Sequence, residues 1–117
     1  MKKILILSAA LVCLLSACKE PVYSPEYYKE RAIYKAQQEL KEYAERESIP
    51  VEEFKGPYAD PHTPLEGEPQ EYTVLYYHPK HFFSYDSFTS NIWAYPYSKD
   101  RPMPQAIKDM ASRNPES

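Results

Sequence analysis

The predicted fold depends on the segment Tyr72-Thr73-Val74-Leu75-Tyr76-Tyr77, because its side chains suit both faces of a half-buried β-sheet. Successive side chains of an extended chain point to opposite sides, so Tyr72, Val74 and Tyr76 share one face. We predict a strand over 72–78 that Pro79 interrupts. Two further strands, 82–88 and 92–95, are predicted on either side of turn-prone residues. Three short strands joined by tight turns favour an antiparallel meander.

Upstream of these strands, residues 24–47 have the features of a long helix. Ser24 is a good N-cap, Pro25 suits the first turn, and the segment that follows has no glycine or interior proline. Its apolar residues recur at three- and four-residue spacing and form one stripe: Ile33, Ala36, Leu40, Tyr43 and Ala44. The polar face carries more acid than base, which favours packing on a core over lying on anionic lipid.

The helix is expected to end before Pro50, after which Val51 and Phe54 fold back into the core. Residues 56–70 contain both glycines of the chain and four of its prolines, so we predict a loop, extended in places. Residues 105–111 are predicted to form a short closing helix, and residues 112–117 a frayed end.

These elements predict an α+β domain with one long N-terminal amphipathic helix packed on a small antiparallel sheet of about three strands. The domain is expected over 24–100, followed by a C-terminal segment over 101–117. This order of elements resembles that of cystatin-like and NTF2-like small domains. That resemblance carries no motif, and such folds host inhibitors, immunity proteins and binding modules.

The first 17 residues differ from the rest of the 117-residue chain. Lys2 and Lys3 precede an apolar run over 4–15, the pattern of a secretory signal peptide, and that run is too short to span a bilayer. After it, 12 basic and 17 acidic side chains remain. This acidic balance argues against nucleic acid as a partner.

The leader ends in Leu15-Ser16-Ala17-Cys18, which resembles the lipobox of bacterial lipoproteins. The resemblance implies cleavage before Cys18, a diacylglycerol thioether on its sulfur, and acylation of the new amino terminus, with palmitate as a typical chain. Residues 18–23 would then tether the domain to the bacterial cell membrane, facing the periplasm or the exterior. Lys19 favours the outer membrane if the source has two membranes.

Cys13 would leave with the leader, so Cys18 is expected to be the only cysteine of the mature chain. An intramolecular disulfide is then excluded, as are zinc sites and thiol catalysis that depend on cysteine.

Other catalytic or metal-binding patterns are weak. His78 and His81 lie near Asp86, but Pro79 argues against a helix that would align the two rings, and no firm third ligand is evident. We therefore interpret both as solvated loop histidines and expect no metal or cofactor. The sequence contains no nucleophile elbow or phosphate-binding loop, so we expect a non-enzymatic protein.

Nine aromatic residues fall between positions 76 and 97, more than one face of three short strands needs. Two interpretations stay open: large rings fill the core of a domain without disulfides, or some are exposed for binding. Trp93, Tyr95 and Tyr97 are the candidate contact residues, because they come from the strand most suited to an edge.

These features leave two classes of function. In the first, the chain is a membrane-anchored interaction, inhibitor or immunity-type module whose acidic surface engages a basic protein. In the second, its aromatic rings hold a cell-wall glycan or peptide; a purely structural envelope lipoprotein is a further alternative. Rising ionic strength should slow association with a basic protein and barely affect sugar stacking.

Overall fold

A computed structural model describes residues 24–64 and 66–115. The predicted signal peptide (1–17), Cys18 and the tether (18–23) lie outside these residues, as do the last two residues of the predicted frayed end. The described chain is an α+β domain, which confirms the predicted fold class.

The long helix, α1, spans Pro25–Arg46. Ser24 caps it, and its side-chain oxygen accepts a hydrogen bond from the Tyr27 N–H at 3.4 Å. The predicted stripe is confirmed as the buried side of the helix, which also includes Ala32. A single 3₁₀ turn, Val51–Glu53, follows, and Phe54 is buried, as predicted.

The sheet has four antiparallel strands in sequential order: β1 (Lys55–Pro61), β2 (Tyr72–Tyr77), β3 (His81–Asp86) and β4 (Asn91–Pro96). The prediction of about three strands missed β1, which lies in the segment predicted as a loop. Its glycine and prolines hide the strand pattern, yet proline is tolerated there because β1 is an edge strand with one side unpaired.

The sheet buries one face under α1, and β2 sets which face this is. Tyr72, Val74 and Tyr76 point toward the helix, as the alternation predicted. The register places Phe83 beside Tyr76 on the same face, and Val74 and Phe83 are fully buried. This helix-covered side of the sheet holds the larger apolar core.

Gly56 allows β1 to pack closely against β2 at this core. Its φ of +152° disfavours residues with a side chain, and a Cβ at this position would lie 2.8 Å from Cδ1 of Tyr76. The backbone of β1 also shifts register between Lys55 and Tyr58. A close approach between β1 and the Tyr76 ring therefore explains the glycine.

The opposite face, called the distal face below, is covered over only part of its width. A short helix, α2 (Gln105–Met110), buries Ile107 and Met110 against Tyr58 of β1. Leu75, Tyr77, Phe82 and Met103 are partly buried around this second, smaller cluster. The C-terminal segment thus covers the β1–β2 half of the distal face.

Phe83→Ala tests the packing of α1 on the sheet. Removing this fully buried ring should lower the free energy of unfolding by about 3–5 kcal/mol, measured by urea denaturation. Phe88→Ala is the matched control, because Phe88 is 72% exposed and its loss should change stability by only about 0.5 kcal/mol. Equal effects of the two substitutions would contradict the packing described here.

Candidate functional site

The candidate contact residues lie at the β4 side of the distal face. Trp93 and Tyr95 alternate with residues that point toward α1, and the register places them opposite Ser84 and Phe82 of β3. Trp93 is 58% exposed. β4 is an edge strand of the sheet, so the sequence-based placement of Trp93 and Tyr95 on an edge agrees with the topology, whereas Tyr97 follows the end of β4.

Tyr95 is held between two neighbours. Its ring stacks on Phe82, with centroids 5.0 Å apart and planes inclined by 24°. On it lies the guanidinium of Arg101, whose Cζ is 4.4 Å from the ring centroid, which is a favourable cation–π distance. We call the surface formed by Phe82, Trp93, Tyr95, Tyr97 and Arg101 the aromatic patch.

A tight turn positions Arg101. The backbone N–H of Ser98 donates to the Arg101 carbonyl at 3.0 Å, and the Arg101 N–H donates back to the Ser98 carbonyl at 3.2 Å. The Ser98 side-chain oxygen accepts a further bond from the Arg101 N–H. The turn therefore brings a positive charge onto an aromatic ring, a combination that sequence spacing did not reveal.

Tyr97 differs from the other two candidates. Its backbone N–H donates to the Lys80 carbonyl at 2.8 Å, and its ring meets Tyr95 edge to face. Burial raises the pKa of its hydroxyl to about 12, and the neighbouring tyrosines add to this shift. The hydroxyl oxygen is buried and has no hydrogen-bond partner among the described residues. Tyr97 is thus a partly buried residue of the patch that packs against Tyr95, whereas Trp93 is its exposed residue.

The two histidines form a separate cluster at the β2–β3 turn. His78 is only 3% exposed, so the interpretation of both as solvated loop residues is wrong for it. Its Nε2 lies 3.0 Å from a Glu53 oxygen, and its Nδ1 accepts the Lys80 N–H. Its ring also packs against that of Phe54, the residue after the 3₁₀ turn, with centroids 4.7 Å apart.

His81 is the first residue of β3 and is partly buried, so the interpretation as a solvated loop residue is wrong for it as well. It connects the same turn to the end of α1. Its Nδ1 lies 2.8 Å from the Tyr43 hydroxyl, and its ring packs edge to face on that of His78. Burial lowers the pKa of His81, and the neighbouring His78 lowers it further, while Glu47 opposes both. These partners indicate a structural role that joins the helix to the hairpin.

The described residues contain no group of three His, Cys, Asp or Glu side chains that could hold a metal ion. Asp86 lies at the far end of β3 from His81, and its carboxylate accepts the Phe88 N–H instead. His78, His81 and Asp86 are close in the sequence, but the structure does not bring all three together.

Two shallow cavities lie at the end of the domain where α1 begins. One, of about 310 Å³, is lined by the β1–β2 loop and Phe88. The other, of about 290 Å³, contains Arg31 and Lys35 of α1 beside Glu71, whose carboxylate accepts a bond from Ser87 at 2.6 Å. The charged side chains that line this second cavity are two basic residues and one acidic residue, and the Glu71 carboxylate is already bonded to Ser87.

No protein-family model, curated protein or solved structure matches this chain. None of the helices in residues 24–64 and 66–115 combines the length and the hydropathy that a transmembrane span requires. The aromatic patch remains the candidate functional site. It contains the exposed side chain of Trp93 and, next to it, the Arg101 guanidinium that lies on the Tyr95 ring.

Proposed function

We propose that this chain is a small lipid-anchored protein of the bacterial envelope that acts by binding and catalyses no reaction. The observation that carries the binding role is Trp93, a large aromatic side chain left 58% exposed on a sheet whose other rings are mostly covered. Tryptophan, tyrosine and arginine are the residues that most often dominate protein interfaces. The patch places all three within one end of the distal face.

The partner class that fits best is a basic protein, as for an inhibitor or immunity-type module. After the leader, the chain has five more acidic than basic side chains. An acidic body attracts a basic partner over a distance, and the aromatic patch then supplies short-range contact. Arg101 also offers a donor fork for a carboxylate or carbonyl of the partner.

A second candidate function is binding of a cell-wall glycan or peptide. It is favoured by the near-parallel Phe82–Tyr95 stack beside an exposed indole, because flat aromatic surfaces suit sugar rings. The two functions differ in their response to salt. Association with a basic protein slows as ionic strength rises, whereas stacking on a sugar changes little.

The anchor follows from the lipobox resemblance and places the binding surface in the envelope. Two or three acyl chains hold a protein on a bilayer firmly, whereas one chain holds it only marginally. The Tyr72 hydroxyl donates to the Pro25 carbonyl at 3.2 Å, so the start of α1 is fixed to the sheet. The tether over 18–23 would then join the proposed anchor to the end of α1 that bonds to the sheet.

Cys18→Ser tests the anchor. The native chain should carry the thioether-linked lipid, lack residues 1–17 and sediment with membranes, as read by mass analysis and fractionation. Cys18→Ser should lose the lipid and the membrane association. Cys13→Ser should change neither, because Cys13 leaves with the leader. A native chain with an intact leader or a bare Cys18 thiol would contradict the anchor.

Trp93→Ala tests the binding surface. In the native envelope, crosslinked capture of a partner should fall roughly tenfold or more, as expected when a central aromatic contact is lost. Tyr34→Ala is the matched control: Tyr34 is 63% exposed on α1, away from the patch, and its loss should leave capture unchanged. Trp93 alone is the suitable probe, because Tyr95 and Tyr97 are partly buried and their removal also affects packing.

Salt then identifies the class of partner. Capture that declines steeply with ionic strength supports a basic protein, and capture that is insensitive to salt supports a glycan. Equal capture by Trp93→Ala, Tyr34→Ala and the unaltered chain would contradict the proposed surface.

A further inference from the structure

The two edges of the sheet differ in how they are protected. The outer edge of β1 contains Pro57 and Pro61, which lack an N–H, and its register is interrupted by a bulge. The C-terminal segment also bonds to β1: the Tyr58 hydroxyl donates to the Arg113 carbonyl, and Lys55 donates to the Ala111 carbonyl. Proline, bulges and covering segments are the usual devices that prevent another strand from pairing with an edge.

β4 lacks these devices over most of its length. Its register with β3 runs without interruption from Asn91 opposite Asp86 to Pro96 opposite His81. Its six residues, NIWAYP, include no charged side chain, and its one proline is the last residue. None of the described strands pairs with its outer side. An uncharged edge of this kind is a template for a further strand.

The backbone groups that point outward from β4 can be identified. The bond from the Tyr97 N–H to the Lys80 carbonyl shows that these two residues are a hydrogen-bonded pair, next to the last pair of the β3–β4 ladder. Hydrogen-bonded and non-hydrogen-bonded pairs alternate along an antiparallel ladder, so Trp93 and Tyr95 also bond toward β3. The N–H and C=O groups of Ile92 and Ala94 therefore face away from the sheet.

We propose that β4 pairs antiparallel with β4 of a second copy of this chain, with Trp93 at the centre of the two-fold axis. In that register Ile92 of one copy lies opposite Ala94 of the other. The outward N–H and C=O groups of Ile92 and Ala94 in each copy then all form hydrogen bonds with the other copy. The pairing joins two four-stranded sheets into one continuous sheet.

A second copy fits this edge because the strand complements itself. With no charged side chain in β4, symmetric pairing sets no like charges opposite each other. On the helix side, Ile92, which is 39% exposed, would lie beside the small Ala94 of the second copy. On the distal side the two Trp93 rings would meet, so the two aromatic patches would become one longer surface.

The contact is small, since a stable interface usually buries at least about 1,200 Å² in total. Pairing is therefore expected to be weak between free molecules and favoured where two copies share a surface. The proposed lipid anchor would supply that high local concentration. The pairing geometry itself depends on neither the anchor nor a bound partner.

Disulfide trapping of Trp93→Cys in the full chain, within membranes of the expressing cells, tests the pairing. The two positions would form a non-hydrogen-bonded pair with Cα atoms ~4.5 Å apart, within the range that a disulfide bridges. Mild oxidation should give a dimer of twice the mass. The unaltered chain reports any crosslink through Cys13 or Cys18.

Tyr95→Cys is the matched control on the same strand and face. In the proposed register it meets Asn91 of the second copy, and its own counterpart lies four residues away, about 13 Å along the strand. Its yield of dimer should be roughly tenfold lower, because that distance exceeds disulfide reach. Equal yields from Trp93→Cys and Tyr95→Cys would overturn the proposal, whatever any other variant does.

Ala94→Pro, added to Trp93→Cys, isolates the backbone contribution. It removes an outward N–H while leaving the bonds between β4 and β3, a position where an edge strand tolerates proline. Dimer yield should fall to that of Tyr95→Cys, with the fold checked by circular dichroism. An undiminished yield from a folded variant would overturn the proposal. Disulfide trapping between two copies requires no other binding partner. A negative trapping result can therefore be distinguished from a loss of partner capture in Trp93→Ala.

Discussion

The packing of one helix on one face of the sheet is the constraint on which the rest of the structure depends. α1 is the only long helix in the described residues, and its apolar stripe covers the face formed by alternate residues of β2 and β3. The distal face must then be covered by what remains of the chain. In the C-terminal segment, α2 covers the β1–β2 half and Arg101 lies on Tyr95, so Trp93 of β4 stays exposed.

This incomplete cover links the fold to the proposed function. Contiguous exposed apolar surface commonly marks an interaction site, and the aromatic patch is such a surface. The same asymmetry appears at the sheet edges, because the C-terminal segment that covers half of the distal face also closes the β1 edge. Binding through the aromatic patch and pairing through β4 would therefore use the same unprotected end of the sheet.

Local patterns predicted most of the fold, and the errors have physical causes. The stripe of α1 and the alternation of β2 are visible in sequence because each buries one face against a single layer. β1 was missed because Gly56 and two prolines have low strand propensity. Gly56 is explained by the close approach to Tyr76, and the prolines are tolerated because β1 is an edge strand. The burial of His78 and the position of Arg101 over Tyr95 depend on contacts between distant segments, which spacing along the chain does not encode.

The fluorescence of Trp93, the only tryptophan of the chain, tests most directly the claim that the β4 side of the distal face is open. In dilute, folded protein we expect emission close to that of tryptophan in water, with ready quenching by acrylamide and by iodide. Unfolding should then shift the emission very little. Blue-shifted emission that resists both quenchers and moves to the red on unfolding would show a buried indole and contradict the account.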